Sequence, residues 1–281
     1  MVKNASFKNA TKEIVRSCIP LAARKQMAVW VNHQGWLDHH RRSWWSQELV
    51  RDLSDININE YHKFLWSNHL SYAATYEIAC RFGRENMKQS RRLFFEDLNK
   101  HLTSLSVNPG KDVRSVFEVG CSLGYQLRYL ETDVFSSATT LEGIDIDARA
   151  IHDGTEYLRG IGSTIRLHCA DMEELEGVLE GKRFDVIICS GVLMYLDEDA
   201  ATRVVDTLLR HTGVMLAFAG LAHPYIDNAQ LSRSVPRDSD KSLIHNIDAM
   251  INKAGGRIAA RRWETRLAFL DHRPRERGMM P

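Results

Sequence analysis

The residues whose types and spacing could do chemistry together are three acids and a pair of glycines. The apolar run Val116-Phe117-Glu118-Val119 leads directly into Gly120-Cys121-Ser122-Leu123-Gly124-Tyr125, the pattern of a strand, a glycine-spaced turn and a helix start. Gly120 lets the backbone come close to a ligand, and Gly124 permits a tight entry into the helix. A second run ends in Gly143-Ile144-Asp145, where a carboxylate can accept both hydroxyls of a ribose. A third ends in Cys169-Ala170-Asp171-Met172 and a fourth in Cys189-Ser190-Gly191-Val192-Leu193. A glycine pair alone is what any strand-to-helix turn needs. The strand ends taken together say more, because open α/β sheets bind ligands outside the carboxyl ends of their strands.

The elements that must position these residues are short apolar runs at 115–119, 140–144, 164–168, 184–189 and 214–218, with helix-length intervals after the first, second, fourth and fifth. That alternation predicts parallel strands joined by right-handed crossovers, a doubly wound Rossmann-like α/β sheet. A helix over 243–254, ended by Gly255-Gly256, and a final strand pair over 257–263 and 266–270 complete the reading. Upstream, residues 10–104 read as helices separated by polar breaks. One helix is expected over 60–82, where Tyr61, Phe64, Leu65, His69, Tyr72, Ala73, Tyr76 and Ala79 recur at helical steps, and another over 86–105. Asn108-Pro109-Gly110 breaks the pattern, so the division is drawn between a helical segment at 1–110 and the α/β domain at 111–281.

Composition narrows the function classes. A formal net charge of +1 argues against a surface built for phosphate backbones, and hence against a nucleic-acid partner. No apolar run approaches the roughly 20 residues needed to span a bilayer, so no membrane partner is expected. The five cysteines include no C-x-x-C pair and read as buried reduced thiols of a cytoplasmic protein. The basic first 30 residues lack a continuous apolar stretch and read as an amphipathic helix, with an organellar presequence as the alternative. Self-association as a homodimer is left open.

From 115 to 270 the chain resembles the class I S-adenosylmethionine (SAM)-dependent methyltransferases, on the motifs just quoted and on the fourth run, Phe184-Asp185-Val186-Ile187-Ile188-Cys189-Ser190-Gly191-Val192-Leu193-Met194-Tyr195-Leu196. The resemblance implies SAM as cofactor and a mostly parallel sheet with an antiparallel last strand. It implies that Glu118 helps hold the amino-acid portion of SAM and that the turn carrying Gly120, Cys121 and Gly124 passes beneath the cofactor. Asp145, with neighbouring Ile146, would meet the ribose, Asp171 the adenine amino group and Met172 the ring, and the strand end at Ser190 would face the sulfonium. Ser122 stands where many members carry a middle glycine. That departure, together with Glu118, weakens the competing reading as a nicotinamide-dependent oxidoreductase, whose pyrophosphate needs the middle glycine. Three acids kept at one edge speak against a catalytically silent binding module.

Methyl transfer from a sulfonium is an in-line displacement in which alignment and exclusion of water do most of the work. A hydroxyl acceptor gains from a general base, for which His223, in the loop after the fifth run, and His69 are the candidates. Trp66, Tyr72 and Tyr76 on the N-terminal helix, with Tyr195, are the candidate acceptor contacts. An aromatic stripe at helical spacing is more often a packing face, and a loop histidine is often tied to backbone. No tetrapeptide of the Asn-Pro-Pro-Tyr type follows the fourth run. The expected acceptor is therefore a small molecule of sugar or secondary-metabolite type, methylated on O or N. Among the histidines between Trp30 and Trp45, Asp38 is the one acid and there is no cysteine, too little to complete a metal site, and no metal is expected.

Overall fold

Sparse glycine and proline, with apolar residues recurring at three and four steps, make the first part of the chain helical. The computed structural model describes residues 18–70, 78–84 and 87–263, the side chains of His39 and His40 excepted. The chain divides into two compact units, Met1–Thr75 and Tyr76–Pro281. The first holds helices α1 (Leu21–Asn32), α2 (His39–Val50), α3 (Leu53–Ile56) and α4 (Ile58–Ser67). They close on a small core of Ala28, Val50, Leu53, Tyr61, Leu65 and Leu70. Arg24, buried at 3% exposure, is neutralised there by Asp52 and donates to the Leu49 carbonyl.

The helix expected over 60–82 is not continuous. It ends at Ser67 because His69 takes the left-handed conformation at φ 57, so the Leu70 amide reaches back to the Leu65 carbonyl at 2.8 Å and the His69 amide to Trp66 at 3.0 Å. These two bonds satisfy carbonyls the helix would otherwise leave bare. Tyr72, Ala73 and Tyr76 lie outside the described residues.

The second unit begins with α5 (Ile78–Phe82), α6 (Gln89–Ser104) and α7 (Pro109–Asp112). Its sheet contains β1 (Ser115–Val119), β2 (Thr140–Asp145), β3 (Arg166–Cys169), β4 (Phe184–Ser190) and β5 (Thr212–Ala219), in the order β3-β2-β1-β4-β5 with every neighbour parallel. Between the strands run α8 (Tyr125–Tyr129), continued by a π-helical turn, α9 (Ala148–Gly160), α10 (Leu175–Leu179) and α11 (Glu198–Arg210). Side chains alternate across the strands. Val116, Val186 and Ile188 pack with Phe95, Leu98 and Leu102 of α6 and with Leu127, Ile151 and Leu158 on one face. Phe117, Val119, Ile187 and Cys189 pack with Leu179, Val204, Val205 and Leu208 on the other. The result is a three-layer, doubly wound arrangement. Helix α6, which precedes the break at Asn108-Pro109-Gly110, packs into the core against the sheet.

Two late elements also differ from the sequence reading. Leu243–Ile244 forms β7, antiparallel to β6 (Val235–Pro236), and the last helix, α12, is Ile247–Lys253. Asn246 sets that start by accepting the Ala249 amide at 2.9 Å. Residues 257–263 run without strand structure, and 266–270 lie outside the described residues, so the sheet as described has no antiparallel last strand. Cys121 and Cys189 are buried, but Cys18, Cys80 and Cys169 are exposed, Cys169 because it sits on the edge strand β3. No described helix is long and apolar enough to cross a membrane.

Candidate cofactor site

The strand order reverses between β1 and β4, and the carboxyl ends of those two strands flank a switch point, where an open sheet leaves a crevice. The turn after β1 is built to lie flat there. Gly120 has φ 72, and a Cβ on it would come within 2.0 Å of Val192 Cγ1, so only glycine lets the β1 and β4 turns pass. Gly124 (φ 78) opens α8, where a Cβ would press on Leu167 at 2.9 Å. Between them Ser122 adopts φ 52, a conformation uncommon for a residue with a side chain. Its amide donates to Asp145 Oδ2 at 2.9 Å.

Asp145 is locked from the other side as well, because the Asp147 amide donates to Oδ1 at 2.9 Å. Burial raises its pKa, and these amide bonds oppose that by favouring the anion. Each carboxylate oxygen has a second acceptor position, so two hydroxyls can still be received by a side chain whose direction is already set. The Ala170 amide bonds the Asp145 carbonyl at 3.0 Å, bringing the β3 end, with Asp171, beside the β2 end. Asp171 caps the short helical turn Met172–Glu174 through the Glu173 amide at 3.0 Å, and Met172 packs against the sheet core. Cys169 Sγ lies 3.8 Å from the Ile146 carbonyl.

Beneath the turn, Glu118 is 1% exposed. Gln126 Nε2 donates to its Oε1 at 2.7 Å. Its Oε2, like Gln126 Oε1, is buried with no hydrogen-bond partner among the described residues. Burial pushes the Glu118 pKa up to about 8; the Arg91 charge pulls it down and the Asp145 charge pulls it up. Arg91, on α6, has its own Nη1 buried and without a hydrogen-bond partner, and its guanidinium lies 5.6 Å from the Tyr125 ring centroid. Unpartnered buried polar atoms are rare because each forfeits its hydration, so three in one place mark a site. Neither Arg91 nor Gln126 was legible as a site residue: an arginine and a glutamine on helices carry no spacing signal.

The remaining candidates are placed differently. Ser190 ends β4, and the Gly191 amide beyond it bonds Ala219 of β5 at 2.8 Å. Tyr195 is half-buried in the turn after β4, where burial raises its pKa and keeps the phenol neutral. His223 Nδ1 accepts the amides of Tyr225 at 3.3 Å and Ile226 at 3.2 Å. A neutral ring accepting at Nδ1 carries its hydrogen on Nε2, so in this arrangement His223 can donate a hydrogen bond but offers no lone pair to an incoming proton. His245 is buried between Ser234 Oγ at 2.7 Å and the Leu193 carbonyl at 2.9 Å, bracing the turn after β4. Asp185 ties the amides of Arg114 and Ser115 at the far end of the sheet, at 2.7 and 2.9 Å, and is structural. His69 and Trp66 belong to the helical unit, and the sheet unit does not include them.

Residues 116–213 match the model of a family described as a methyltransferase domain. Among solved structures, the chain is similar to magnesium protoporphyrin IX methyltransferase (ChlM) from Synechocystis PCC 6803 with bound SAM, at 14% identity over 82% of this chain and 95% of that one, TM-score 0.42. It is also similar to the plantazolicin methyltransferase BpumL in complex with a desmethylPZN analog and SAH, at 16% identity over 61% and 62%, TM-score 0.43. A third is PKMT2 from Rickettsia typhi in complex with AdoHcy, at 17% identity over 43% of this chain, TM-score 0.35; this chain spans 22% of that protein's length. No curated protein matches the chain. The glycine turn and the acids Glu118, Asp145 and Asp171 all fall within residues 116–213, the stretch that matches the methyltransferase-domain model.

Proposed function

We propose that this protein transfers a methyl group from SAM to an O or N atom of a small-molecule acceptor. The observation that carries the cofactor half of this reading is Glu118: a carboxylate buried under a bare glycine turn, with one oxygen unpartnered, is suited to a ligand bearing an ammonium and unsuited to a pyrophosphate. Asp145 would receive the ribose hydroxyls, Asp171 and Met172 the adenine, with the backbone at Cys121 beneath the cofactor, Ile146 beside the ribose and Ser190 at the reacting end. SAM, when bound, supplies a methyl group already activated by its sulfonium. What the chain contributes is alignment: Gly120 allows the close approach, Ser122 and Asp147 fix the Asp145 carboxylate, and the layers on both faces of the sheet exclude water.

Near-neutral charge and the Ser190-Gly191 turn support a small acceptor over nucleic acid. In this reading His223 acts as a hydrogen-bond donor to the acceptor through Nε2, with Tyr195 beside the reacting end. Trp66, His69, Tyr72 and Tyr76 are the further candidates for acceptor contacts; the aromatic composition of that stretch of sequence supports this. Five scattered cysteines with no C-x-x-C pair support a cytoplasmic location. The test is calorimetric titration of the full chain with SAM, S-adenosylhomocysteine, NAD and NADP. Binding of the two adenosyl compounds without the nicotinamides is expected; binding of a nicotinamide alone overturns the reading. A labelled-methyl screen of small acceptors then tests the acceptor class.

A further inference from the structure

Apolar packing does little to hold the loop after β5, which carries His223, since no residue in 221–241 is buried. Hydrogen bonds hold it instead, and they converge on one side chain. Asn228 Nδ2 donates to the carbonyls of Leu221 at 2.8 Å and His245 at 3.0 Å. Asn228 Oδ1 accepts the His223 amide at 2.8 Å and the Trp263 indole N–H at 3.2 Å. An asparagine amide has two hydrogens and an oxygen with two acceptor positions, so all four are in use. Two of these bonds fix the segment of Leu221 and His223 itself, and a third reaches His245, the buried residue that follows β7.

Burial lowers the His245 pKa and favours the neutral ring, against the pull of Glu198 and Asp197. A carbonyl only accepts, so the ring hydrogen sits on Nε2, donated to Leu193 at 2.9 Å, and Nδ1 accepts the Ser234 hydroxyl at 2.7 Å. Leu193 opens the helical turn Leu193–Tyr195 that ends in Tyr195. Ser234 is held in its place by its own amide, which donates to Glu198 Oε2 of α11 at 2.6 Å. A continuous chain of bonds therefore runs from the turn carrying Tyr195, through His245 and Asn228, to the loop carrying His223.

We infer that His245 and Asn228 are positioning residues for methyl transfer, a joint that locks the Tyr195 turn and the His223 loop into one preset acceptor rim. The inference rests on the reading of Tyr195 and His223 as acceptor contacts and goes further, assigning their relative placement to two residues outside that set. The physical reason is alignment. An in-line displacement loses rate when the acceptor is misplaced by ~1 Å, and a saturated polar network fixes one arrangement where a loosely packed loop would sample several.

The test is nitrogen NMR of the full chain labelled at its histidine rings, with amide hydrogen exchange and calorimetric titration with S-adenosylhomocysteine. In the unmodified protein His223 and His245 are both expected to show a ring protonated on Nε2. His245→Leu removes both ring bonds, whereas His245→Gln keeps a donor and an acceptor. In His245→Leu the amides of His223, Tyr225 and Ile226 are expected to exchange about tenfold faster. The single-tautomer signal of His223 is expected to be lost, although no described hydrogen bond joins the two rings. His245→Gln restores both readouts, and Asn228→Ala changes the His223 signals in the same way as His245→Leu. Exchange at the β1 and β2 amides and affinity for S-adenosylhomocysteine stay unmoved in all three variants. His223 signals unchanged in His245→Leu and in Asn228→Ala overturn the joint. Variants that loosen β1 and β2 as much as the loop, or that lose S-adenosylhomocysteine, overturn it too, by showing a general structural role or a role at the cofactor. Should His245→Leu fail to fold, Asn228→Ala, at a half-buried position, decides. Failure of the unmodified protein to bind S-adenosylhomocysteine overturns the SAM reading, and the ring signals still decide the joint.

Discussion

Replacing Glu118 by glutamine should stabilise the ligand-free protein while costing it the cofactor, and the pH dependence of the first effect can be worked from the structure. The side chain is buried at 1% exposure, and its pKa stands at about 8 against an ordinary 4.5. At 1.36 kcal/mol per pH unit, that difference places about 5 kcal/mol against the charged form, as an order of magnitude. The sign follows from proton counting. Below pH 4.5 the group is neutral in both folded and unfolded chains and costs nothing. Between 4.5 and 8 the folded chain holds a proton that the unfolded chain has released, so stability falls as pH rises, and above 8 the loss is complete. Glutamine has nearly the same shape and no charge, so Glu118→Gln should gain nothing at pH 4.5, about 3 kcal/mol at pH 7 and about 5 kcal/mol at pH 8.5. Hydrogen exchange at the β1 and β2 amides, which report the sheet unit itself, measures the difference between the two proteins at each pH. A stability difference that is flat with pH, or that favours glutamate at pH 8.5, would refute the assignment of Glu118 as an uncompensated buried acid. The same variant should bind S-adenosylhomocysteine more weakly than the unmodified protein, because an amide cannot supply the negative charge that would meet the ligand's ammonium.

Three further outcomes are expected. Asp145→Ala removes the acceptors for two hydroxyls and should weaken SAM binding by about 2–4 kcal/mol; unchanged affinity by calorimetry would show that the ribose sits elsewhere. Gly120→Ala places a methyl group 2.0 Å from Val192 Cγ1 at a positive φ and should destabilise the sheet unit by about 2 kcal/mol or more, partly recovered in the double variant with Val192→Ala, as measured by urea unfolding; no recovery would place the strain in the backbone alone. His223→Ala should leave SAM affinity unchanged and lower turnover once an acceptor is found, and normal turnover removes the residue from the site.

What the sequence determined by itself were the features encoded by residues adjacent along the chain. The glycine turn, the strand runs and the acids at their ends are local: Gly120 and Gly124 mark backbone that no side chain allows, and Asp145 and Asp171 lie within the same short segments as the strands that carry them. Parallel order followed from the helix-length intervals between apolar runs, because a crossover leaves little choice of direction. The helix over 60–82 misled because its apolar period continues past Ser67, while the stop there is made by a left-handed His69, a residue type that gives no such warning. The late helix was read too early for a related reason: Leu243–Ile244 is apolar enough to extend it, but pairing with Val235–Pro236 and the cap from Asn246 take those residues away. Only the tertiary structure decided that α6 packs on the sheet and that Glu118 is buried against Gln126 within reach of the Arg91 charge, because a buried charge is defined by what surrounds it, and those surroundings come from separate segments of the chain. The same holds for His223, whose loop position was legible but whose hydrogen is placed by amides that only the folded loop brings to Nδ1.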